Sequence, residues 1–156
     1  MLGFIKRNTP ASDLGTGMFG KIPTAGDFVS IGDYSPASGH LSQWLEEGVG
    51  WAVTRAKSDW ESLETQGPRA FVFRPEGVED GERVVVGLLQ PSRDAVGRRF
   101  PLAIYANLSL GSDIQDYAML PLAGGEFLEY ALGVLTAVGT GQEPRATMRS
   151  LVPSIA

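Results

Sequence analysis

Two polar segments carry most of the side chains able to do chemistry: GTGMFGKIPTAGDFV at residues 15–29 and QPSRDAVGRRFPL at residues 90–102. In the first, Gly15, Gly17 and Gly20 satisfy G-x-G-x-x-G, and Gly15, Gly20 and Lys21 satisfy most of the P-loop spacing, so the run is a candidate phosphate cradle. Such a cradle needs a strand before it and a helix after it, because the helix N-terminus points amides and a dipole at the phosphate. Here NTPASDL precedes the run, and Pro23 and Gly26 discourage a helix after it. Ile22 also stands where a P-loop places the hydroxyl that ligates magnesium. No nucleotide is expected at residues 15–21, and Gly17 and Gly20 read instead as points of close backbone approach.

Asp27, Ser92, Arg93, Asp94, Arg98 and Arg99 would form one mixed-charge surface if the fold joins the two segments. Plain turn chemistry is the competing reading: Asp27 and Ser92 can accept nearby backbone N–H groups, and Asp94 and Arg98, four apart, can pair with each other. An enzymatic alternative is a metal-dependent hydrolase or phosphatase using Asp27, Ser92 and Asp94. Asp27, Asp33 and Asp94 could gather a hard cation, but their spacing is not diagnostic. His40 is the only imidazole, and its place at a helix start suits a surface or capping role. Neither a G-x-S-x-G elbow nor an H-E-x-x-H pair occurs. No catalytic residue, metal site or cofactor is assigned, and the chain is not read as an enzyme.

The elements that must position these loops follow from apolar periodicity. Leu41, Trp44, Leu45, Val49, Ala52, Val53, Ala56, Trp60 and Leu63 share one helical stripe, which predicts a long helix from residue 38, bent near Gly48 and Gly50. The three tryptophans on it suit core or interface better than a stacking platform. RAFVFRP and RVVVGLLQP, joined by a short polar turn, read as an antiparallel hairpin, and PLAIYANLSL as a third strand. A short extended piece is expected at residues 17–22, with PTAGDFVSIGDYSP after it as an irregular loop. GEFLEYALGVLTAVG is a second helix, stopped by Gly139 and Gly141. The expected fold is one compact α/β domain at residues 17–156, a mixed, largely antiparallel sheet flanked by helices, behind a flexible lead-in at residues 1–16.

Composition bounds the partners. A chain of 156 residues with 43% hydrophobic and 20% charged residues can bury a core of its own. The net charge of -5 opposes nucleic acid and anionic membranes as general partners. Cysteine is absent, which excludes disulfides and thiolate chemistry and is compatible with a reducing compartment. No run approaches a membrane-spanning length or a secretory signal, so a cytoplasmic location is expected.

FGKIPTAGDFV and GLLQPSRDAVGRRFPL closely resemble the paired signatures of the TagF family, also called ImpM, accessory proteins of bacterial type VI secretion. The order agrees as well: first signature, Trp-bearing helix, hairpin, second signature. Carried onto this sequence, the motif positions are Gly20, Lys21, Pro23, Gly26, Asp27 and Phe28, then Pro91, Ser92, Asp94, Gly97, Arg98, Phe100 and Pro101. The resemblance implies a post-translational negative regulator that binds the forkhead-associated scaffold protein of the secretion system. It also implies that Lys21, Asp27, Ser92, Asp94 and Arg98 serve partner binding or the motif itself, with no catalytic role; on charge alone, Arg98 and Arg99 beside Asp27 and Asp94 suit a polar protein contact.

Overall fold

The third apolar strand, β5 (Leu102–Ser109), is the centre of the molecule. It pairs on one side with β1 (Gly15–Gly20) and on the other with β4 (Arg83–Gln90), both antiparallel. In a computed structural model that describes residues 15–32, 35–55, 59–75, 83–109 and 124–150, the sheet has the order β2-β1-β5-β4-β3. β2 is Val29–Gly32 and β3 is Arg69–Phe73, and every neighbouring pair is antiparallel. The expected fold class therefore holds, in its fully antiparallel form.

Side chains alternate between the two faces of a strand, and both faces of this sheet are covered. Met18, Val84, Val86, Ile104 and Ala106 pack on one face with Phe127, Ala131, Val134 and Val138 of α3 (Gly125–Gly139). Phe19, Val85, Ala103 and Tyr105 pack on the other with Ala37, Leu41 and Leu45 of α1 (Pro36–Arg55). Double coverage explains why the inner strands read as nearly unbroken apolar runs rather than as strict alternation.

Four sequence-based expectations need correction. Residues 29–32, read as irregular, form the edge strand β2, in which half-buried Val29 and Ile31 alternate with exposed Ser30 and Gly32; two apolar residues are too short a pattern to announce a strand. The single long helix is two: α1 ends at Arg55, and α2 (Trp60–Thr65) starts afresh, with Leu63 N–H on the Asp59 carbonyl at 3.0 Å. Ala56 lies outside the described residues. Within the expected stripe on α1, Leu41 and Leu45 are buried and Val49 is partly so, while Trp44, like Trp51, is more than half exposed. Gly15 and Thr16, assigned to the lead-in, belong to β1 opposite Asn107 and Ala106; residues 1–14 lie outside the described residues.

The fourth is α4 (Pro144–Ser150), which was not foreseen. Its signal is local: the Glu143 carboxylate accepts the N–H groups of Arg145 at 3.0 Å and Ala146 at 2.7 Å, capping a helix whose first residue is a proline. A seven-residue helix has too little periodicity to show otherwise.

Gly20 lets β1 touch the segment that enters β5. Its φ is +139°, and a Cβ there would lie 2.1 Å from the Pro101 carbonyl oxygen. Gly48 in α1 has nothing within 4 Å of an added Cβ. The same substitution should therefore act with opposite sign. Gly20→Ala lowers stability by about 1–3 kcal/mol through strain, while Gly48→Ala raises it by about 0.5–1 kcal/mol. Urea denaturation of the two variants beside the parent checks both signs.

Candidate functional site

The sheet register brings the two polar segments together. Leu102 stands opposite Gly20 on one side and opposite Gln90 on the other, so β1 ends, β4 ends and β5 begins in one row. Residues 21–28 and 91–101 therefore leave the sheet side by side. Two bonds tie them directly: Ala95 N–H donates to the Ala25 carbonyl at 2.8 Å, and Arg98 Nη2 donates to the Gly26 carbonyl at 2.6 Å.

Asp94 is the hub. Its side chain is fully buried, and its two oxygens take four donors. Oδ1 accepts the N–H groups of Val96 at 3.0 Å and Arg98 at 2.8 Å; Oδ2 accepts Lys21 Nζ at 2.9 Å and Arg98 Nε at 2.7 Å. The backbone closes the same turn, with Asp94 N–H on the Arg98 carbonyl at 3.0 Å and Gly97 N–H on the Asp94 carbonyl at 3.0 Å. Gly97 supplies the positive φ, +92°, that this reversal needs. The Asp94–Arg98 pairing expected from their spacing is present, but around a turn rather than along a helix.

An aromatic cluster seals the pair. Phe28 stacks on Phe19 at 5.6 Å and meets the edge of Phe100 at 4.8 Å, and Lys21 Nζ lies 5.0 Å from the Phe28 ring centre. Such contacts add to plain area burial, and the cation over the ring gives the buried ammonium a second partner. Phe28 keeps 43% of its surface exposed, so the cluster is also part of the outside. Beside it runs a groove of about 530 Å³, lined by Phe28, Glu46, Val49, Gly50, Thr54, Arg99 and Phe100.

The other candidate residues lie around this hub. Asp27 is exposed, its carboxylate accepting the adjacent Phe28 N–H at 2.8 Å. Ser92 is half-buried, and its carbonyl takes the Phe100 N–H at 3.1 Å. Arg93 and Arg99, bridged to each other across the loop, reach α2: Arg93 pairs with Glu64 and Arg99 with Glu61 at 3.5 Å. The hydrogen bond from Arg93 holds the Glu64 carboxyl below its usual value against the opposing effect of burial. His40 is exposed on α1, away from this constellation's contacts. Asp33 lies outside the described residues, among which no group of three or more metal-ligating side chains occurs.

Two features had no clear sequence signal. The Phe19–Phe28–Phe100 cluster draws on both segments, and its one hint is a phenylalanine at the border of each. The Ala25–Ala95 bond is between backbones and is invisible in residue types.

Burial acts to raise the Asp94 pKa, but the bonds from Lys21, Arg98 and Val96 outweigh it and hold the carboxyl well below the ordinary range. A depressed carboxyl contributes stability that is fully present above its unfolded value, about 3.9, and that is lost as pH falls through the folded value. Asp94→Asn should therefore lower Tm by several degrees at pH 7, with the gap to the parent narrowing as pH drops below 4. Thermal melts from pH 7 to pH 2 check this; a gap that widens in acid would contradict it.

The fold has counterparts. A family model described as the TagF N-terminal domain, type VI secretion system-associated, matches residues 17–153. The crystal structure of PA0076 from Pseudomonas aeruginosa PAO1, at 2.05 Å resolution, is similar with a TM-score of 0.70 and 26% sequence identity. The similarity covers 90% of this chain and 64% of that one, so this chain spans somewhat less than two thirds of that protein's length. The residues that carried the resemblance, Gly20 to Phe28 and Pro91 to Pro101, fall inside the matched range, and the chain belongs to the TagF N-terminal domain family of type VI secretion system-associated proteins.

Proposed function

We propose that this chain is a cytoplasmic post-translational negative regulator of type VI secretion, which acts by binding the forkhead-associated scaffold protein rather than by turnover. One observation carries the reading: the residues best suited to chemistry are spent on holding the two signature loops together. With four donors on its oxygens, the Asp94 carboxylate has no lone pair left for a metal or a substrate, and Lys21 is buried against it. That arrangement disfavours the hydrolase alternative through Asp27, Ser92 and Asp94.

What remains outward on the locked loops suits recognition. Val96, at the tip of the second loop, is 76% exposed; Asp27, Phe28 and the Arg98 guanidinium lie near it on the joined surface. A mixed surface of this kind sets specificity and association rate through charge complementarity and takes affinity from its apolar members. A nucleic-acid partner is disfavoured by the net charge of -5. Among the described residues no helix is long and apolar enough to cross a membrane.

Val96→Asp should weaken binding to the forkhead-associated scaffold protein about tenfold or more, the loss of an apolar contact combined with a misplaced charge, while leaving Tm within a degree or two of the parent. Titration calorimetry reads the affinity, and unchanged affinity removes this surface from the site. Release of phosphate from a phosphopeptide with added manganese, abolished in a folded Asp27→Asn variant, would overturn the binding reading itself.

A further inference from the structure

The Asp94 hub carries one charge more than it cancels. Two cations, Lys21 and Arg98, share a single carboxylate. Lys21 lies inside, its side chain 7% exposed and its ammonium between Asp94 and the Phe28 ring. Arg98 lies outside, with 58% of its side chain exposed. The uncancelled positive charge of the network is therefore presented to solvent by one guanidinium. Neighbouring carboxylates are engaged elsewhere: Asp27 accepts the Phe28 N–H, Glu61 pairs with Arg99 and Glu64 with Arg93.

That guanidinium is also held in a fixed direction. It has five N–H donors in one plane. Nε donates to Asp94 Oδ2 at 2.7 Å and Nη2 to the Gly26 carbonyl at 2.6 Å, which pins one edge of the plane to both loops. The remaining donors, on Nη1 and Nη2, have no acceptor among the described residues. The Nη1/Nη2 edge offers two parallel N–H groups at the spacing of the two oxygens of a carboxylate. Because the plane is already anchored, little side-chain freedom is left to lose when an anion arrives.

The charge count selects that anion. One surplus cation is matched by one monoanion. A phosphate monoester, with about two negative charges at pH 7, would bring its second charge close to the exposed Asp27 carboxylate, on a chain whose net charge is already -5. Val96, 76% exposed and two residues before Arg98, sets an apolar contact next to the fork. We propose, resting on the regulatory reading above, that Arg98 is the specificity-determining residue of the docking surface. Its Nη1/Nη2 edge takes the carboxylate of an Asp or Glu of the partner, and an apolar neighbour of that residue covers Val96.

Calorimetric titration of the full chain with the forkhead-associated scaffold protein tests this. Arg98→Lys keeps a charge within reach of Asp94 but loses the fork, and should weaken binding about tenfold with Tm within a few degrees of the parent. Single Asp→Asn and Glu→Gln changes across the scaffold protein should include one that weakens binding to the parent by about the same factor and has no further effect with Arg98→Lys, a coupling that a merely structural role for Arg98 would not produce. Full affinity in Arg98→Lys, or the absence of any acidic position coupled to it, would overturn the assignment and leave the regulatory reading standing; failure of the parent to bind the scaffold protein would overturn both. Binding lost when the scaffold protein is treated with a phosphatase would overturn it in favour of a phosphate. A concentration-dependent dimer in sedimentation, dissolved by Arg98→Lys, would overturn it in favour of a second copy.

Discussion

The buried pair of Lys21 and Asp94 is the constraint around which the rest of this end of the molecule is arranged. An ion pair taken out of water gains little net stability, because desolvation of both charges offsets most of their attraction. Its value here is geometric. The ammonium arrives from the first loop, while two backbone amides and a guanidinium arrive from the second, so one carboxylate fixes both backbones at once. An apolar pair of the same volume would fill the space without fixing direction. Removal of Asp94 leaves the Lys21 ammonium buried without its carboxylate, a much larger penalty than the pair's own net contribution, whereas removal of Lys21 leaves Asp94 still held by Arg98 and two amides.

That hub works only because the sheet delivers both loops to one place. Three strands meet at the row of Gly20, Leu102 and Gln90, and close contact between β1 and Pro101 requires a residue without a side chain at Gly20. Helices on both faces hold this row still: α1 packs against Phe19 and Tyr105, and α3 against Met18 and Ile104. The aromatic cluster then continues the α1-side core outward, from buried Phe19 and Phe100 to half-exposed Phe28, so the loop surface and the core are one packed body. The contacts from Arg93 and Arg99 to α2 extend the same body sideways.

Much of this was legible in the sequence wherever the physical signal is periodic or compositional. The hairpin of β3 and β4, the strand β5 and the helix α3 announce themselves by long apolar runs, and the two loops by their polar, glycine- and proline-marked composition. Gly20 was readable as a close approach because its flanks rule out a phosphate cradle. The split between α1 and α2 was not, since Trp60 continues the stripe of Leu41 and Leu45 in sequence although a separate helix buries it. Lys21 misleads in a related way: residue type suggests a surface cation, and only the tertiary pairing with Asp94, 73 residues away, explains why it is inside.

Placing the charges inside has a consequence for what lies outside. A loop that must order itself on meeting a partner loses conformational entropy at that moment, on the order of 1–2 kcal/mol per backbone residue fixed. Here the turn around Gly97 is already closed by its own backbone bonds and by the Asp94 carboxylate, and the first loop is tied to it through Ala25 and Gly26. Side chains such as Val96 and Phe28 therefore stand on a backbone that has been ordered by folding, and little ordering remains for binding. A surface prepared in this way loses little entropy on meeting a partner, so the proposed binding role asks for few contacts from the mixed-charge patch on these two short loops.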